Sequence, residues 1–245
     1  MSTDNHHSIE IHMLKKKFQN GFSFSKEHLH LEGGKTITFI GKNGAGKSTF
    51  FQMITGNLDP DEGKILINGE RFSTESYHLK RKFGYLPQNF SLPTWVSPLE
   101  VLRYVVSLYK IPDGKTRIEE SLNFWDCYSF KNKPLASCSH GMQKRVALSI
   151  ASIHEPDFLI LDEPFSGLDI FHLESLEKTI YNRKKNGKLT IISSHIAPYI
   201  AQTSQEIYGI CEGKIEAFDV WESLSFEKKV EKIRSYFGIK SIYKT

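Results

Sequence analysis

The chain has 245 residues, 39% hydrophobic and 24% charged, with 32 basic against 28 acidic residues and a net charge of +4. That length buries a sizeable core in one domain with a subdomain, and the composition is that of an ordinary globular protein. The basic excess is too mild to argue for a nucleic-acid partner, and the three scattered cysteines, Cys127, Cys138 and Cys211, lack metal-ligand spacing and fit a reduced compartment.

The opening MSTDNHHSIEIH has no basic-then-apolar leader, and no run approaches the roughly 18 apolar residues of a membrane span. The chain is therefore expected in the cytosol, held at a membrane only by another polypeptide. His6, His7 and His12 read as a polar terminus. Ile9–Phe18 reads as a first strand, and Thr36–Ile40, short and β-branched, as a buried one leading into glycines. Phe50 to Thr55 continues as a helix closing near Gly56. Ile65–Ile67 with Asn68-Gly69 reads as a strand and tight turn.

From about Gln88 to His154 helical spacing takes over, in Leu99, Leu102, Val106 and Tyr109 and again in Met142, Val146, Ile150 and Ile153. Phe158–Leu161 and Leu189–Ile192 are continuously apolar, as buried parallel strands are. Ile207–Cys211 and Ile215–Phe218 form a late hairpin. Phe226, Val230, Ile233 and Phe237 make one stripe of a closing helix, stopped by Gly238, in a tail of about 219–245. The expected fold is α/β: a mostly parallel sheet, an antiparallel β portion at the N-terminus and an inserted helical subdomain of about 88–154, all in one domain, 1–245.

Gly41-Lys42-Asn43-Gly44-Ala45-Gly46-Lys47-Ser48-Thr49 fits G-x-x-x-x-G-K-[ST] between a strand and a helix, the context that marks a phosphate-binding loop. Its glycines let successive N–H groups point at phosphate oxygens near a helix N-terminus. Lys47 reaches the β- and γ-phosphates of ATP, and the Ser48 hydroxyl takes a Mg²⁺ position. Asp162 and Glu163 end the apolar strand Phe158–Leu161. Asp162 can hold Mg²⁺ through its water shell, and Glu163 can polarise the attacking water as general base.

Further motifs in order make the chain, from about Ile9 to Phe218, resemble the ATP-binding subunit of an ABC transporter. Gln88 in GYLPQ resembles the Q-loop glutamine, which joins Mg²⁺ and the nucleophilic water to the membrane partner. Cys138-Ser139-His140-Gly141-Met142 sits where the LSGGQ signature belongs. Asp169 in Ser166-Gly-Leu-Asp169 matches the D-loop, His195 the switch histidine at the γ-phosphate, and Phe18 the aromatic that stacks on adenine. The resemblance implies an ATPase in which the signature of one subunit completes the ATP site of another. It also implies a polytopic permease partner, attachment to the inner face of the cell membrane, and a cargo chosen by the membrane subunits.

Three of five signature positions depart from the family, although Ser139 can cap a helix at the phosphate and Gly141 allows close approach. His140 adds bulk and Met142 lacks an amide donor. Two pairings stay open: a heterodimer with one weakened site, or a homodimer that tolerates this signature. Leu92–Trp95 and Val96–Val106 read either as a docking surface for the membrane subunit or as packing within the insert. The wording from Gly84 to Ile111 and the short tail favour export. The competing class is an ATPase of the same family acting on ribosomes or DNA.

Overall fold

The computed structural model describes residues 7–239. Its strands are β1 (Ser8–Lys17), β2 (Ser23–Glu32), β3 (Thr36–Ile40), β4 (Glu62–Ile67), β5 (Glu70–Phe72), β6 (Phe83–Leu86), β7 (Phe158–Asp162), β8 (Leu189–Ser193), β9 (Glu206–Cys211) and β10 (Lys214–Ala217). They form one sheet in the order β5-β4-β1-β2-β10-β9-β3-β8-β7-β6. β9, β3, β8, β7 and β6 run parallel to one another. β5, β4, β1 and β2 are antiparallel, and β10 turns back on β9. The sheet is thus mixed, more evenly so than "mostly parallel" implies.

The helices are α1 (Lys47–Ile54), α2 (Tyr77–Lys80), α3 (Pro98–Tyr109), α4 (Gly114–Phe124), α5 (His140–Ser152), α6 (Ile170–Lys185), α7 (Ala197–Thr203) and α8 (Phe226–Tyr236). Every residue of β3, β7 and β8 is buried, because alternate side chains serve opposite faces. Phe158 and Ile160 of β7 join Phe50 and Phe51 of α1 in one core. Leu159 and Leu161 join Leu102, Val146 and Leu176 of α3, α5 and α6 in the other. The two cores fix α1 and α5 on opposite sides of the strand that carries Asp162.

Helices α3, α4 and α5 all lie between β6 and β7. Ser97 and Glu100 close a reciprocal cap at the start of α3, while Trp95, just before it, is 80% exposed. At the far end, Ile233 of α8 is buried with Ile40, Ile200 and Trp221. Phe226, expected in the same stripe, is exposed instead.

The histidines read as a polar terminus divide. His6 lies outside the described residues. His7 is buried edge-on to Phe158, its Nδ1 3.6 Å from the Asp157 carboxylate, and burial lowers its pKa. His12 is a β1 residue, its ring 5.6 Å from that of His28. His7 packs just ahead of β1, and His12 belongs to the sheet.

Candidate functional site

β3, β8, β7 and β6 end in step. Phe39 is in register with Ser193, Ser193 with Asp162, and Leu161 with Leu86. The residues just past each strand therefore collect at the carboxyl edge of the sheet, where open parallel sheets bind ligands. Gly41–Thr49 comes after β3, Gln88 after β6, Glu163 after β7 and His195 after β8.

The glycine loop is shaped by its surroundings. A Cβ at Gly41 would stand 2.5 Å from the Ile210 carbonyl oxygen. Gly46, at φ +113, is the N-cap of α1, and a side chain there would meet the rings of Phe22 and Phe24. Lys47 to Thr49 form the first turn of α1, whose N–H groups have no acceptor within the helix. That turn is a ready anion site. The Lys47 ammonium lies over the loop, donating to the carbonyls of Gly41 at 2.7 Å and Lys42 at 3.2 Å. Lys42, Asn43 and Gly44 are exposed on the open side, whereas Ala45 and Gly46 are buried.

Two hydroxyls reach the buried Asp162 carboxylate. Ser48 Oγ donates to Oδ2 at 3.3 Å, and Ser193 Oγ donates to Oδ1. Ser193 ties the acids together, since its Oγ also accepts from the Glu163 N–H at 2.9 Å. Glu163 is 8% exposed and takes the left-handed conformation, φ 52, which costs a non-glycine residue about 1–2 kcal/mol. The surroundings hold it there. Its N–H also donates to the Ser193 carbonyl at 3.1 Å, and its carboxylate lies 3.0 Å from His195 Nδ1. Its own carbonyl accepts from Lys144 Nζ at 2.8 Å. His195 is mostly exposed, so the pair joins a buried acid to an accessible ring.

The signature region is well formed despite its sequence. Ser139 is the N-cap of α5 and accepts from the Met142 N–H at 3.2 Å. The His140 ring stacks on Phe90, two residues past Gln88, with centroids 5.4 Å apart. A Cβ at Gly141 would lie 3.3 Å from the Gly167 carbonyl oxygen, so α5 runs close to the turn after β7. Gln143 Nε2 donates to the carbonyls of Leu135 and Cys138. Cys138 is a packing residue, and burial pushes its thiol pKa up.

Asp169 is the N-cap of α6 and pairs with His172 Nδ1 at 2.6 Å. Gln88 is two residues beyond Leu86, as Glu163 is two beyond Leu161. Phe18 is partly exposed, its ring 5.9 Å from that of Phe22. Phe22, and not Phe18, lines a groove of about 690 Å³ shared with Lys42–Ala45 and Tyr236.

The structure thus brings Gly41–Thr49, Asp162, Glu163 and His195 together by direct contact. Ser139, Gly141 and Asp169 form a second group on α5 and the start of α6. Ser193, Lys144 and Phe22 escaped the sequence reading. Ser193 was visible only as a neighbour of His195, Lys144 as a polar residue on an amphipathic helix, and Phe22 as a second aromatic four residues after Phe18.

A strand, a glycine loop, a helix and an acid at the end of a nearby parallel strand define a P-loop nucleoside triphosphatase. The family model described as "ABC transporter" matches residues 24–166. Among curated relatives, the lantibiotic transport ATP-binding protein SrtF of Streptococcus pyogenes is 30% identical over 207 residues, 84% of this chain and 88% of that one. The spermidine/putrescine import ATP-binding protein PotA of Clostridium acetobutylicum is 26% identical over 237 residues, 96% of this chain and 67% of that one. Against another relative the chain spans 63% of its length. A solved structure of an ATP-binding subunit of an ABC transporter superposes with a TM-score of 0.81 at 25% identity, covering 94% of this chain and 93% of that one. The chain belongs to the ABC transporter family, as an ATP-binding subunit with the family's ATPase domain. Among the described residues no helix is long and apolar enough to cross a membrane.

Proposed function

We propose that this chain is the motor of an exporter. It binds ATP with Mg²⁺, pairs head to tail with a second nucleotide-binding subunit, and drives a substrate through separate permease subunits from the cytoplasmic face of the membrane. The observation that carries this reading is the hydrogen-bonded cluster of Ser48, Asp162, Glu163 and His195 beside the glycine loop.

In this reading Lys47 and the N–H groups of Gly44–Thr49 hold the phosphates. Ser48 and Asp162 fit a hard dication, because a hydroxyl and a carboxylate oxygen stand 3.3 Å apart. Gln88 and the nucleotide's own oxygens would supply further ligands, and the ion, when bound, would neutralise charge on the phosphates. Glu163 orients the attacking water and takes its proton, with His195 holding the carboxylate and facing the γ-phosphate. Ser139 and Gly141 of one subunit meet the γ-phosphate held by the other, and Asp169 lies along the same interface.

The structure of the signature supports a homodimer. Ser139 already caps α5, and the bulk that His140 adds is taken up by the stack on Phe90. Docking of a permease segment between Gln88 and Val106 is supported by the exposed Trp95 and Tyr104. Export is the direction that the wording from Gly84 to Ile111 favours; the relatives include both a lantibiotic transport protein and a spermidine/putrescine import protein. Purification from detergent-solubilised membranes tests the transport reading: a polytopic protein is expected to accompany the chain, and recovery with ribosomes or DNA instead would overturn it.

The rings of Phe18 and Phe22 together form the platform for the adenine. Removing either ring, as F18A or F22A, is expected to weaken ATP binding by about 1–3 kcal/mol, the usual worth of a base–aromatic stack. Titration with a fluorescent ATP analogue reads this directly, and unchanged affinity in both variants would place the base elsewhere.

A further inference from the structure

We infer that Lys144, on the signature helix α5, is a positioning residue for Glu163, and that it links the general base of one ATP site to the signature that closes the other. The inference rests on the role of Glu163 proposed above.

Lys144 is buried, yet its ammonium donates to the Glu163 carbonyl at 2.8 Å and also bonds the Ser166 carbonyl. These two carbonyls bracket the turn that leaves β7. Glu163 is left-handed without being glycine, so its conformation depends on what grips it. The grips come from three elements. Ser193 of β8 holds its N–H, His195 beyond β8 holds its carboxylate, and Lys144 of α5 holds its carbonyl. Only Lys144 belongs to the helix whose first turn, at Ser139 and Gly141, addresses the opposite subunit's ATP. Burial pulls the lysine pKa down to about 8, and the Glu163 charge pulls the other way. A cation kept here needs those carbonyls as its solvent.

The next residue extends the grip. Arg145 Nη1 lies 2.8 Å from His172 Nε2, and His172 Nδ1 pairs with Asp169. Consecutive cations on α5 therefore hold both ends of the segment from Glu163 to Asp169. Seating of α5 on the partner's ATP fixes that segment, and with it the base, in this subunit's own site.

The test is steady-state ATPase kinetics of Lys144→Met and Lys144→Gln, with Glu163→Gln run in parallel. Lys144→Met should lower kcat by about 10- to 100-fold, a coupling of ordinary allosteric size, with KM for ATP within about twofold. The Hill coefficient should fall toward one. Lys144→Gln, which keeps a neutral N–H donor group, should recover part of both, and it carries the test if the methionine variant does not fold. Wild-type kcat and cooperativity in the folded variants would overturn the inference, as would a loss of ATP affinity parallel to the loss of rate. If Glu163→Gln is inactive while Lys144→Met is normal, only this link fails. If Glu163→Gln hydrolyses ATP normally, the role of Glu163 itself has failed.

Discussion

Glu163→Gln is expected to bind ATP with near wild-type affinity while its steady-state hydrolysis falls by about 10²- to 10⁴-fold, the usual worth of a positioned general base. The substitution is close to isosteric. The backbone of residue 163 keeps its grips, because Ser193 and Lys144 act on main-chain atoms. The His195 contact remains in reach of the amide oxygen. The change removes the carboxylate that accepts a proton from water, and no neighbour replaces it: Asp162 is engaged by the hydroxyls of Ser48 and Ser193. Phosphate release from a single loading of ATP, measured beside equilibrium nucleotide binding, separates turnover from affinity. Normal release would remove Glu163 from the mechanism.

The opposite phenotype is expected at the glycine loop. Lys47→Ala should weaken ATP binding by about 10- to 100-fold, since a hydrogen bond from a charged donor is worth about 1.5–3 kcal/mol and about 1.4 kcal/mol is tenfold. The loss stems from position. The ammonium is already held over the loop by the carbonyls of Gly41 and Lys42, so the charge is pre-organised where the phosphates enter and little ordering remains to oppose binding. Lys47→Arg should rescue poorly, because a planar fork does not replace a compact ammonium in a tight loop. Titration with a fluorescent ATP analogue checks both variants. Affinity close to wild type in Lys47→Ala would mean that the loop does not grip phosphate through this side chain.

Much of the site was legible because its residues sit where local rules apply. The glycine loop comes after a strand of five buried residues and opens a helix, and Asp162 ends another such strand with Glu163 directly after it. Short apolar runs need no partner to be recognised. β2 needed one. Met13, at φ 52, lies where β1 gains a residue relative to β4. The buried side chains consequently change parity, from Ile9 and Ile11 to Leu14 on β1, and from Phe24 to Leu29 and Leu31 on β2. Alternation, the strand's signature, is broken at that point. α6 was hidden for another reason, since two of its five buried positions are His172 and Arg183. Arg183 bonds carbonyls of Pro156, Asp157 and Leu189, contacts that exist only once β7 and β8 are side by side. Lys144 and Ser193 were missed on the same ground. Their bonds run to the main chain of Glu163, which residue types alone do not reveal.

The central claim is that the loop at Gly41–Thr49 is half of a site, closed by a signature from a second copy. Analytical ultracentrifugation of the purified Glu163→Gln chain measures it most directly. With ATP and Mg²⁺ the variant is expected to sediment as a dimer, and with ADP or without nucleotide as a monomer. A chain that binds ATP yet stays monomeric at concentrations well above its affinity for ATP would contradict the account.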